Sequence, residues 1–168
     1  VEECELAVQH LLDLGHKKVA MLFDKLDNSI RRSRLTGYKQ VLGKAKIPYR
    51  EEYVYIWGRD AVADVTESAD KGYYLTKALL ERTPEVTAFV CMNDAMALGA
   101  FKAVREAGKK VPDDYSIVGF DDLVFADSVD PALTTVGLEQ YLWGKKLAQY
   151  YFCTYLCTAL EIRHGLVA

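Results

Sequence analysis

Four short, almost unbroken apolar runs, "KKVAMLF", "YVYIW", "TAFVCM" and "YSIVGF", recur at intervals of roughly thirty residues, the length of a strand plus its crossover. Strands that are apolar at nearly every position, rather than at every second one, are covered on both faces. Between these runs the apolar spacing becomes helical. Cys4, Ala7, Val8, Leu11 and Leu14 fall on one face of "EECELAVQHLLDLG", with Gly15 as its stop. Asp27 or Asn28 can cap a second helix, whose apolar face is Leu35, Tyr38, Val41, Leu42 and Ala45 and which ends before Pro48. "KGYYLTKALLER" is the third helix, and "DAMALGAFKAVREAG", stopped by Gly108, is the fourth; "LTTV" offers a fifth strand. Helix and strand in alternation predict an α/β fold, a three-layer parallel sheet with helices on both faces.

That architecture directs attention to particular residues. Ligands of open α/β sheets bind outside the carboxyl ends of the strands. The positions there are Asp24 onward, Trp57 onward, Asn93 with Asp94, and Asp121 with Asp122. Asp94 is expected to cap the fourth helix, whereas the Asn93 amide, donor and acceptor together, suits a ligand hydroxyl. Arg31, Arg32 and Arg34 follow the first strand around a helix start, where cations are unfavourable; Arg34, at the inner edge of the apolar face, can bring its planar fork to the strand ends. Asp121 and Asp122 could serve as acid and base, as metal ligands or as acceptors for a polyol. No His, Ser or Cys stands at another strand end in a nucleophile motif. A carboxylate, an amide and a guanidinium at neighbouring strand ends form instead a complementary set for vicinal hydroxyls, which is binding without catalysis. Position favours a turn-capping role for Asp122.

Other classes lack their signatures. Neither G-x-G-x-x-G nor a Walker lysine motif follows a strand, so no nucleotide cofactor is expected. His10, His16 and His164 are isolated, the acidic stretch from Gly58 to Asp70 lacks calcium-loop spacing and reads as a solvated loop, and no metal is expected. The net charge of -3 is no footprint for nucleic acid or an anionic membrane. Cys4, Cys91, Cys153 and Cys157 form no C-x-x-C pair, which fits a reducing compartment, and no apolar run is long enough to span a bilayer.

"HLLDLGHKKVAML", "RLTGYKQVL", "TAFVCMNDAMALGAFKAVREAGKKVPDDYSIVGFDD" and "PALTTV", in this order, resemble the effector-binding domain of the LacI/GalR family of transcriptional regulators. That domain is similar in fold to type I periplasmic sugar-binding proteins, of which this chain would supply one flavodoxin-like half. The resemblance implies an effector contact for Arg34 in its "R..G" pattern with Gly37 and Tyr38. It implies the same for Asn93 in "ND" and for Asp121 in "GFDD". Trp57 is the nearest candidate for an aromatic that stacks on a sugar beyond the second strand. Gly137 and Leu138 stand where a polar residue often contributes, and Ile30 replaces a common serine.

The resemblance further implies that the chain, residues 1–168, is the C-terminal part of the effector domain as a single α/β domain, without the N-terminal DNA-binding domain and the first subdomain. A returning helix over about 138–158 and a last strand over 160–164 complete it. The helix carries Trp143, Tyr151, Phe152 and Tyr155, too much apolar surface to leave in water. It is expected to dock on the chain's own sheet or on a second copy, as in a homodimer. The expected function is that of a cytoplasmic repressor that senses a sugar-like effector and touches DNA only through the missing domain. A solute-binding protein of a sugar transport system is the alternative, and an enzyme of flavodoxin-like or sugar-metabolising type a third that no nucleophile or cofactor motif supports.

Overall fold

The computed structural model describes residues 2–137. Within the compact unit Val1–Val136, helices α1 (Glu2–Asp13), α2 (Ser29–Lys44), α3 (Ser68–Arg82) and α4 (Asp94–Glu106) alternate with strands β1 (Val19–Phe23), β2 (Val54–Ile56), β3 (Ala88–Cys91), β4 (Ser116–Phe120) and β5 (Thr134–Val136). The helix expected over 138–158 and the strand over 160–164 lie outside the described residues.

All four strand pairings are parallel, in the order β2-β1-β3-β4-β5. The order in which strands are added therefore reverses beside β1, and β1 and β3, neighbours in the sheet, sit at the switch point where such folds gather their ligands. Every residue of β1 and of β3 is buried, as their unbroken apolar runs require. Helices α1 and α2 pack together on one face, and α3 and α4 on the other. The expected three-layer α/β architecture is the one observed.

The α3–α4 pair is set by two glycines. A Cβ on Gly72 would come 2.1 Å from the Met96 carbonyl oxygen, and one on Gly99 would come 1.7 Å from that of Ala69. The two helices thus touch backbone to backbone, which aligns their amino ends beside the carboxyl ends of the strands. This contact also explains why α3 begins at Ser68, before the "KGYYLTKALLER" pattern starts. The preceding segment is more ordered than an acidic, patternless loop. Asp60 accepts the Ile56 N–H at 2.7 Å and pairs with Arg59 and Arg82, while Trp57 bridges to Ala61.

At the opposite end of the sheet, His16 lies between the hydroxyls of Thr87 (2.8 Å) and Ser116 (3.0 Å) and so ties the loop after α1 to the starts of β3 and β4. Burial lowers its pKa below the ordinary histidine value, which favours the neutral ring.

Gly99→Ala is expected to lower stability by about 2–3 kcal/mol, because the helices must separate to admit the methyl group. Gly43→Ala, on α2 with nothing within 4 Å of the added carbon, is expected to be neutral or to stabilise by about 0.5–1 kcal/mol. Urea unfolding of the two variants measures the contrast.

Candidate functional site

The strand ends converge around Arg34. It projects from α2 and is only 6 % exposed. One terminal nitrogen, Nη1, donates to the Met92 carbonyl at 2.6 Å, just past β3. Nη2 meets Glu3 Oε2 of α1 at 3.3 Å, and the guanidinium lies over the Phe120 ring at the end of β4, 4.0 Å from its centroid. Nε has no partner among the described residues. A buried cation requires such pairing, and the rigid fork and flat face of arginine allow all three contacts at once. Arg31 and Arg32 point elsewhere: Arg31 pairs with Asp24 and Asp27, and Arg32 donates to the Leu26 carbonyl.

Asn93 is the N-cap of α4, with its side-chain oxygen accepting the Met96 N–H at 2.8 Å. This corrects the expectation that Asp94 caps the helix. Asp94 is the first residue of the helix, fully buried, and it looks across the sheet. Its carboxylate accepts the Leu123 N–H at 2.8 Å and the Thr135 hydroxyl at 2.6 Å. Room for it exists because position 119 is glycine; a Cβ there would lie 2.2 Å from Asp94 Oδ1. Asn93 also exchanges hydrogen bonds with the Ser68 hydroxyl at the start of α3.

Asp121 and Asp122 both adopt left-handed backbone conformations, with φ of 104° and 51°. Such conformations are costly outside glycine and persist where the surroundings over-determine them. Three consecutive N–H groups hold this turn: Asp121 to the Val136 carbonyl, Asp122 to the Thr135 hydroxyl, and Leu123 to Asp94. Burial pushes the Asp121 carboxyl above the ordinary aspartate value; Arg34 pulls it down, and Asp94 and Glu3 add to the rise.

Arg34, Asn93 and Asp121 therefore gather at the ends of α2, β3 and β4. Trp57 stands at the end of the edge strand β2, with β1 between it and β3, and its ring tilts against Tyr74 of α3. Between these groups, at the end of β1, Asp24 binds Lys71 (3.1 Å) and Arg31 (3.6 Å). Sequence reasoning missed Glu3, Ser68 and Lys71, which reach the site from α1 and α3. Among the described residues no group of His, Cys, Asp or Glu is placed to hold a metal. The set offers donors and acceptors for hydroxyls, but no paired nucleophile and base. It forms an open wall, whereas a concavity of about 570 Å³ lies away from it, along α4 beside Phe101, Lys102 and Pro131.

Asp94→Ala is expected to cost about 3 kcal/mol in urea unfolding, since the Leu123 N–H and the Thr135 hydroxyl lose a charged acceptor. Asp121 behaves differently. The folded state holds its proton more tightly than the unfolded chain, so ionisation costs stability above the raised pKa and nothing below the ordinary value of 3.8. Asp121→Asn is expected to raise Tm at about pH 7 and to leave it unchanged at about pH 3.

Residues 8–152 match the periplasmic binding protein-like domain family. The chain is 33% identical over 141 residues to the HTH-type transcriptional repressor PurR of Haemophilus influenzae (strain PittEE), covering 84% of this chain and 40% of that protein. It is 32% identical over 143 residues to the HTH-type transcriptional regulator CelR of Thermobifida fusca, with 85% and 40% covered. The structure of a CelR–cellobiose complex superposes with a TM-score of 0.76 at 31% identity, covering 89% of this chain and 43% of that one. The chain thus spans less than half the length of these relatives. It belongs to the periplasmic binding protein-like domain family, and its relatives in sequence and in structure are LacI-family transcriptional regulators.

Proposed function

We propose that this chain forms one wall of the effector pocket of a LacI-family transcriptional regulator, and that the effector is a small carbohydrate or a similar polyhydroxylated metabolite. The observation that carries this reading is the convergence of Arg34, Asn93 and Asp121 at neighbouring strand ends of a sheet whose order creates a switch point there. An ionised carboxylate accepts from hydroxyls, while the Asn93 amide, its oxygen engaged by the Met96 N–H and Ser68, keeps one N–H to donate. Trp57 supplies an apolar flank at the edge strand, a surface suited to a sugar ring. The chemistry is recognition, with no cofactor and no turnover. The relatives are regulators, which favours a sensor over a component of sugar transport. The cellobiose complex shows that a regulator of this fold takes a disaccharide.

In the whole protein the opposite wall would come from the family's first subdomain. Closure on the effector would shift a dimer between states with differently spaced DNA-binding heads, by as much as the effector's affinities for the two states differ. Contact with DNA would fall to the family's N-terminal domain, and the cell compartment would be the cytoplasm. No helix among the described residues is long and apolar enough to cross a membrane.

Calorimetric titration of the full-length protein with neutral mono- and disaccharides, cellobiose among them, tests this reading. One of them is expected to bind. Asp121→Ala and Arg34→Ala are each expected to weaken it roughly 10–100-fold, the weight of a hydrogen bond to a charged group. An unchanged affinity in both variants would remove these residues from the site.

A further inference from the structure

The contact between Glu3 and Arg34 carries an inference about which effectors the pocket admits, and it rests on the sensor reading above. An arginine that grips a carboxylate or phosphate does so with two parallel N–H donors. Here Nη1 is committed to the Met92 carbonyl, Nη2 faces Glu3 Oε2, and one face of the guanidinium is covered by Phe120. Nε has no partner among the described residues but is fully buried, so the only pair a ligand could reach, Nη1 with Nη2, is the one already engaged by Met92 and Glu3. Glu3 itself is about one-third exposed, and its second oxygen, Oε1, has no partner among the described residues.

The charge balance points the same way. Glu3 and Asp121 both act on the same cation, and Asp94 lies close enough to raise the Asp121 pKa. Three carboxylates against one guanidinium leave a local excess of negative charge. Desolvated like charges repel with several times their strength in water. An anionic effector would have to displace Glu3 and then approach Asp121. A hydroxyl or an ammonium group meets the opposite situation, since Glu3 Oε1 and the Asp121 carboxylate both need donors.

We propose that Glu3 sets the charge selectivity of the pocket, holding Arg34 so that neutral or amino-bearing polyols enter and phosphorylated or carboxylated ones do not. Glu3 stands in the first turn of α1, where an acidic residue also suits the helix dipole. That role alone would not require a partner 31 positions along the chain on another helix.

The test uses inorganic phosphate as the probe and the full-length protein as the sample. Thermal unfolding of wild type, Glu3→Gln and Glu3→Gln/Arg34→Met is followed in sodium phosphate and in sodium chloride at matched ionic strength. Phosphate strengthens burial in every protein, so the quantity that matters is the difference between variants. The Tm gain from phosphate is expected to be larger in Glu3→Gln than in wild type by about 2–4 °C, and the excess is expected to vanish in the double variant. Glutamine keeps the shape and helix propensity of glutamate, so the single variant folds as the wild type does. Equal phosphate gains in wild type and Glu3→Gln would overturn the proposal. So would an excess that survives in the double variant, since it would not arise at Arg34. The sensor reading fails separately: a protein that binds no sugar yet shows the Arg34-dependent excess loses its assigned effector class and keeps the selectivity of the site.

Discussion

The buried carboxylate of Asp94 holds the strand ends in register with one another. It starts α4, yet its two hydrogen bonds run to the turn after β4 and to β5. A single group thereby ties together a helix start, a turn and a strand that are distant in sequence. A charge with no exposure to solvent is tolerable only with such partners, because each replaces part of the lost hydration. The glycine at 119 is a precondition, since a side chain on that face of β4 would occupy the carboxylate's position. With Leu123 and Thr135 anchored, the left-handed pair Asp121–Asp122 becomes affordable, and the Asp121 carboxylate is presented at the carboxyl end of β4 rather than folded into a relaxed turn.

The elements that were legible in the sequence are those set by local pattern. Unbroken apolar runs marked β1, β3 and β4, and Gly15 and Gly108 marked helix stops; both have positive φ, which glycine alone adopts freely. Arg34 was legible because it sits on the inner edge of an apolar helical face in a segment where cations are otherwise unfavourable. What was not legible depends on space. Asp94 and Asn93 are adjacent and both suit an N-cap, so sequence could not say which caps and which is buried. The outcome was decided by Gly119 and Thr135, which are 25 and 41 positions away. The start of α3 was hidden for a similar reason, because Ser68–Asp70 carry no apolar period and owe their helical state to the glycine contact with α4.

Glu3 shows the same limit most sharply. An acidic residue in a first helical turn has a sufficient local explanation, and nothing in "VEECELAV" suggests a partner. Only the packing of α1 beside α2 brings its carboxylate to the guanidinium. Asp24, by contrast, lay at a strand end where inspection was warranted, and its pairing with Lys71 and Arg31 closes the gap between the β1 end and α3.

This wall is held too firmly to be the moving part of a sensor. Asn93 is committed to the α4 cap and to Ser68, Arg34 to Met92, Glu3 and Phe120, and the three backbone N–H groups of the Asp121 turn to Val136, Thr135 and Asp94. Groups already fixed by such partners lose little further entropy when a ligand arrives, which raises affinity without changing shape. A ligand that meets the same rigid surface in open and closed states binds both equally through it, and equal binding shifts no population. In the proposed regulator, the free energy that drives closure must therefore come from contacts made only when the second wall arrives. On that proposal, the residues of this chain would determine which molecules are admitted, and the subdomain opposite would determine how strongly the admitted molecule moves the switch.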